Sequence, residues 1–65
     1  MKILREYLGG DEIIDLDTDR QRFQSNVLQR TEAETEIVIT ILEDFGVYIN
    51  ASGRPEHTER YTVIE

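Results

Sequence analysis

Three aspartates stand at alternate positions in Asp15-Leu16-Asp17-Thr18-Asp19. They lie inside Asp11–Asp19, a stretch with five acidic residues and no basic one. Alternating carboxylates can converge on one cation, as they do at the start of a calcium-binding loop. Such a loop also needs glycine at its sixth position and glutamate at its twelfth. Counted from Asp15, those positions are Arg20 and Asn26, so the loop is ruled out. Weak divalent-cation binding is the residual metal reading, and no second ligand cluster supports it. We expect no metal site and no cofactor.

Read from Ile13, the run Ile-Ile-Asp-Leu-Asp-Thr-Asp resembles the strand-end motif of haloacid dehalogenase-type phosphatases. There one aspartate is the nucleophile and the next, two residues on, is an acid–base. The resemblance implies a large doubly wound sheet with further lysine and aspartate motifs, which 65 residues do not hold. The plainer reading is a strand edge leading into a helix, with Asp15 and Asp17 solvated and Thr18 or Asp17 as the cap.

Other groups able to do chemistry are sparse. His57, in Pro-Glu-His-Thr-Glu-Arg, has a loop-like setting and is expected to face solvent. No nucleophile adjoins it in sequence, though a hairpin loop would bring Ser52 near. Paired carboxylates abound, but working acid–base pairs need a cleft that raises one pKa. Gly9-Gly10 lacks a phosphate-loop context and reads as a turn or a helix stop. There is no cysteine, so disulfides and thiolate zinc sites are excluded. These points argue against an enzyme.

Fourteen acidic residues against seven basic ones give a net charge of −7. A polyanion of this kind repels nucleic acid and suits a basic partner surface. The charge is blocky: Thr31–Asp44 also holds five acids and no base, while Arg20–Arg30 holds three arginines and no acid. Met1–Gly10 lacks the apolar run of a secretory signal, which leads to the expectation of a cytoplasmic protein. The longest apolar run, Ile37–Leu42, is broken by Thr40 and is too short to cross a bilayer. Asn50-Ala51-Ser52 matches a glycosylation acceptor, which carries meaning only on secretion.

The elements that must position these groups are clearest over 31–45. Thr31 with Glu34 forms a capping box. Glu32, Glu34 and Glu36 put negative charge in the first turn, where the helix dipole favours it. Ala33, Ile37, Ile41 and Phe45 recur at i+4 beside Val38 and Leu42, which predicts one apolar stripe with Ile39 off it. Gly46 supplies the stop. The β-branched run Ile37–Ile41 leaves a strand as the rival. After Gly46, 47–50 and 59–64 read as an antiparallel hairpin with Val47 and Ile49 facing Tyr61 and Val63. Before the helix, 1–8 follows a helical stripe with a short strand as alternative, Ile13–Leu16 reads as a short strand, and 19 to about 29 reads as a helix bearing Phe23 and Val27. Tyr7, Tyr48 and Tyr61 are expected at core edges.

The expectation is therefore a single α+β domain over 1–65, with an N-terminal hairpin and a mainly β fold as the alternative. The order helix, strand, helix, helix, hairpin resembles a minimal winged helix, with Ile41–Val63 as the end of its third helix and its wing. That resemblance implies DNA or protein binding. A DNA-reading third helix carries basic residues at its start, where this chain has Glu32, Glu34 and Glu36.

Three functions follow. The leading one is a small acidic, non-enzymatic regulatory or inhibitory domain, similar to compact phage-encoded inhibitors. It would dock Asp11, Glu12, Asp15, Asp17, Asp19, Glu32, Glu34 and Glu36 on a partner's basic surface, as a nucleic-acid mimic where that surface normally holds nucleic acid. The second is a DNA-binding regulator using Arg20, Arg22, Arg30, Arg54 and Arg60, the first three of which could instead pair with neighbouring acids. The third is a homo-oligomeric assembly protein, a homodimer included, using Phe23, Ile39 and a strand edge. None involves a membrane.

Overall fold

The computed structural model describes residues 1–51 and 53–65. Its first element, β1 (Lys2–Tyr7), is a strand where the sequence pattern favoured a helix. The residues satisfy both periods, but Ile3, Arg5 and Tyr7 alternate with Lys2, Leu4 and Glu6, and the tight turn at Leu8-Gly9 returns the chain as β2 (Gly10–Asp15). Gly10 sits at φ +136°, a conformation that favours glycine. Tyr7 pairs with Gly10 and Lys2 with Asp15, so the whole N-terminus is one hairpin. The N-terminal hairpin held as the alternative is what forms, though within an α+β fold.

A helical segment follows. Its first turn is α1 (Arg20–Arg22), and Phe23–Leu28 continues as a π-helix. Bonding from i to i+5 widens the turn. Val27 and Leu28 are thereby both buried along with Phe23. The cap is neither Thr18 nor Asp17: Asp19 is the flanking residue and its side chain makes no cap bond. Gln29, at φ 55°, ends the segment and turns the chain toward α2 (Glu32–Phe45).

Helix α2 forms over the expected residues with the expected ends. Thr31 and Glu34 complete the capping box, and Gly46 closes the helix at φ 76°. Its buried face holds Val38 and Leu42 as expected but is rotated from the rest of the predicted stripe. Thr35, Val38, Ile39 and Leu42 face the core, whereas Ile37 and Phe45 are 61% and 76% exposed. The i+4 row drifts around a 3.6-residue helix, and the core took the neighbouring row instead. Ile39 is therefore buried, and with Phe23 it is unavailable for the oligomer contact expected of them. The hydroxyl of Thr35 is satisfied by the Thr31 carbonyl at 2.9 Å.

The chain ends in β3 (Val47–Asn50) and β4 (Glu59–Val63), an antiparallel pair as expected. The register differs by one. Val47 faces Thr62 and Tyr48 faces Tyr61, so Tyr61 shares a sheet face with Tyr48 rather than with Val47 and Ile49. Strand β4 also pairs with β1, giving a four-stranded antiparallel sheet in the order β2-β1-β4-β3. This differs from the expected winged-helix order: residues 1–8, read as its first helix, form a strand in the middle of the sheet.

One core joins the layers. Ile3, Ile14 and Tyr61 from the sheet meet Phe23, Val27, Leu28, Val38, Ile39 and Leu42 from the helices. The Phe23 ring meets Tyr61 edge-on at 5.6 Å, and Tyr48 stacks on Tyr61 at 6.1 Å. The helices cover this face of the sheet. The other face carries Lys2, Leu4, Glu6, Asp11, Ile13, Asp15, Val47, Ile49, Arg60 and Thr62.

Candidate functional site

At one end of the helix-covered face the apolar core gives way to a band of charge. Alternation along β1 puts Arg5 on the same side as Ile3, and its register partners are Glu12 on β2 and Tyr61 on β4. Arg5 donates to Glu12 Oε1 at 2.7 Å and to the Glu59 carboxylate. Its guanidinium lies 4.1 Å above the Tyr7 ring. Glu59 also accepts from Tyr61 Oη at 2.9 Å and from Asn50 Nδ2 at 3.4 Å. Arg30 then binds Asn50 Oδ1 at 2.9 Å and Tyr48 Oη at 3.1 Å. Arg22 stands 3.6 Å from Glu12.

The electrostatics follow from these contacts. Burial alone would lower Arg5, but the bonds to Glu12 and Glu59 outweigh it and hold its pKa above the ordinary value. The bond from Arg5 holds Glu12 below the usual carboxylate range, against its partial desolvation. Tyr61 is pushed well up by burial and by the Glu59 carboxylate. Every charged group in the band is ion-paired or hydrogen-bonded, so its chemistry is cohesion: it ties all four strands to the loop at Arg30.

The eight carboxylates expected to make a binding face divide in two. Four are engaged with the rest of the chain. Glu12 serves Arg5 and Arg22. Glu32, at 2.6 Å, and Glu36 both hold Arg20. Glu34 accepts from the Thr31 backbone N–H at 3.1 Å, which lowers its pKa. The other four lie along β2 and the loop that leaves it, and no arginine or lysine pairs with them among the described residues. Asp11 is exposed on β2. Asp15 accepts from the Asp17 backbone N–H at 2.9 Å, while Asp17 reaches the terminal ammonium at 2.9 Å. Asp19 is exposed before α1.

The five arginines expected to reach phosphate divide likewise. Arg20, Arg22 and Arg30 are taken up by Glu32, Glu36, Glu12, Asn50 and Tyr48. Arg54 and Arg60 are exposed and make no ion pair among the described residues. His57 is exposed and borders an open hollow of about 320 Å³ with Tyr7, Glu56 and Glu59. Ser52, considered as its neighbour and as part of the glycosylation triplet, lies outside the described residues.

Sequence reasoning missed Arg5, Asn50 and Glu59, the centre of the charged band. The available signal was the alternation Ile3, Arg5, Tyr7, which acquires meaning once β1 is read as a strand. Among the described residues no group of three or more potential ligands is placed to hold a metal ion. No helix among them is long and apolar enough to cross a membrane. Comparison with protein-family models, curated proteins and solved structures finds no match.

Proposed function

We propose that this chain is a small acidic, non-enzymatic binding domain that meets a basic surface of a protein partner with Asp11, Asp15, Asp17 and Asp19. The observation behind this reading is the division of the carboxylates. Glu32, Glu34 and Glu36 are spent inside the molecule, whereas among the described residues Asp11, Asp15 and Asp19 pair with no basic group and Asp17 meets only the terminal ammonium. Strand β2 is a sheet edge, so Asp11 and Asp15 stand on a rigid border, with Asp17 and Asp19 in the loop that follows it. Asp11 and Asp15 are about 14 Å apart along it, at roughly 3.4 Å per residue. Where the partner surface normally holds nucleic acid, the aspartates take phosphate positions. Their contribution falls mainly on association rate and salt dependence.

Affinity capture from host lysate at low salt, with the protein immobilised, tests this. A basic protein retained by the wild type should be released by salt. It should be lost by D11N/D15N/D17N/D19N and kept by E32Q/E36Q. Retention by the aspartate variant, or salt-insensitive binding, refutes the reading. Contact with duplex phosphates is less well supported, because three of its five arginines are already engaged. A low-salt mobility shift that depends on Arg54 and Arg60 would move the assignment to it.

A further inference from the structure

The face of the sheet that no helix covers has a pattern of its own. Register places Ile13, Leu4, Thr62 and Val47 in one row across β2, β1, β4 and β3. The adjacent row is Asp11, Glu6, Arg60 and Ile49. The first row is apolar but for one threonine, and Ile13 and Ile49 are 61% and 50% exposed. The charges on this face are Lys2 and Arg60 against Glu6, Asp11 and Asp15, close to balance in a chain of net charge −7. It is thus a surface on which a like-charged copy can approach with little repulsion.

We infer that this face binds a second copy of the chain, with the two sheets stacked about a two-fold axis parallel to the strands. Such an axis lays β1 over the partner's β4 and β2 over the partner's β3, and keeps each row over itself in reverse order. The consequences are specific. Leu4 lies over the second copy's threonine at 62, and Ile13 over its valine at 47. Glu6 lies over its arginine at 60, and Arg60 over its glutamate at 6. The first row meets in apolar contact and the Glu6–Arg60 pairs match in charge, as a two-fold interface requires, while Asp11 at the edge lies over the second copy's isoleucine at 49. Aligned sheets pack about 10 Å apart at roughly −30°, close enough for these pairs to meet. Four strands at about 4.8 Å spacing make a face about 19 Å wide. That puts the contact at the small, reversible end of protein interfaces. Asp11 and Asp15 lie on this face, so self-association and a basic partner compete for them, and the dimer is read separately because it is measured on the pure protein.

Sedimentation equilibrium at high micromolar concentration tests it, with circular dichroism confirming that each variant is folded. The wild type should be a reversible dimer. Ile13→Glu should be monomeric and folded, since the side chain is mostly exposed. Glu6→Arg sets two arginines against two in a dimer, and Arg60→Glu sets two glutamates against two. Each alone should be monomeric, and an equimolar mixture should form a heterodimer. A monomeric wild type overturns the proposal. So does a dimer that survives Ile13→Glu, or one whose charge-swapped variants fail to associate on mixing, because these place the contact elsewhere.

Discussion

The two faces of the sheet use polar residues in opposite ways. On the helix-covered face Arg5, Glu12, Asn50, Glu59 and Tyr61 each bond to another of the set. On the open face Glu6, Asp11 and Arg60 make no ion pair among the described residues, and the Thr62 hydroxyl is buried without a partner. The difference follows from solvation. A charge half removed from water must be matched, or it costs more than it returns. A charge left in water needs no match and stays available for another molecule. The matched face holds the fold together, and the unmatched face and its border are where recognition is to be sought.

The largest effect should come from unbalancing the matched face. Arg5→Met keeps volume against Tyr7 but leaves Glu59, 13% exposed, without its cation, and leaves Glu12, 30% exposed, with Arg22 alone. The expected cost is about 2–3 kcal/mol, less than for a fully buried pair because water screens Glu12. In a domain this small that lowers Tm by roughly 10–20 °C, read by thermal unfolding. Adding Glu59→Gln should cost less in the Arg5→Met background than in the wild type, because the partner is already gone. Strict additivity would show that the band is not a network.

Acid should act on the same face. The folded-state pKa of Glu12 is depressed, so its stabilisation is fully present above the unfolded value near 4.5 and is lost as pH falls through the folded value. Glu34 acts in the same direction through the cap of α2. Unfolding midpoints in denaturant should therefore hold steady down to about pH 5 and decline below it. Arg5→Met should flatten that decline, since the bond that depresses Glu12 is absent.

The open face offers a smaller effect of opposite sign. Thr62 Oγ1 is shielded from water and makes no hydrogen bond among the described residues. Thr62→Val removes an unmatched polar atom from a central strand and should stabilise the chain by about 1 kcal/mol. Destabilisation on thermal unfolding would mean that the hydroxyl has a partner.

How much of this was legible beforehand depended on whether the signal was local. Helix α2 was, because Thr31, Glu34 and Gly46 are end signals that act within one turn. The pairing of β3 with β4 was, because two β-rich segments flank a turn-rich loop. Its register was not, since a shift of one residue changes no local preference. Strand β1 was ambiguous because Met1–Leu8 satisfies both periods, and what decides it is pairing with β4, over fifty residues away. The same non-locality hid the charged band, since Arg5 and Glu59 are 54 residues apart. The acidic content was plain, but its division into spent glutamates and unspent aspartates was not. Composition counts charges without saying which arginine folds back onto which.

The smallest expected effect bears most directly on that division. Asp11→Asn removes a charge that is solvated and unpaired, beside Glu12 on the same strand and opposite Glu6 on the next. No bond is lost, and some repulsion within an acidic molecule is relieved. Stability should change by less than about 0.5 kcal/mol, with any shift upward. Glu12→Gln, one residue along, weakens bonds to two arginines and should be clearly destabilising. The two substitutions make the same change in net charge, so a model in which only total charge matters predicts equal shifts. Parallel melts at low and moderate salt separate the cases. If Asp11→Asn destabilises as much as Glu12→Gln, Asp11 is engaged in the fold and is not free to meet a partner.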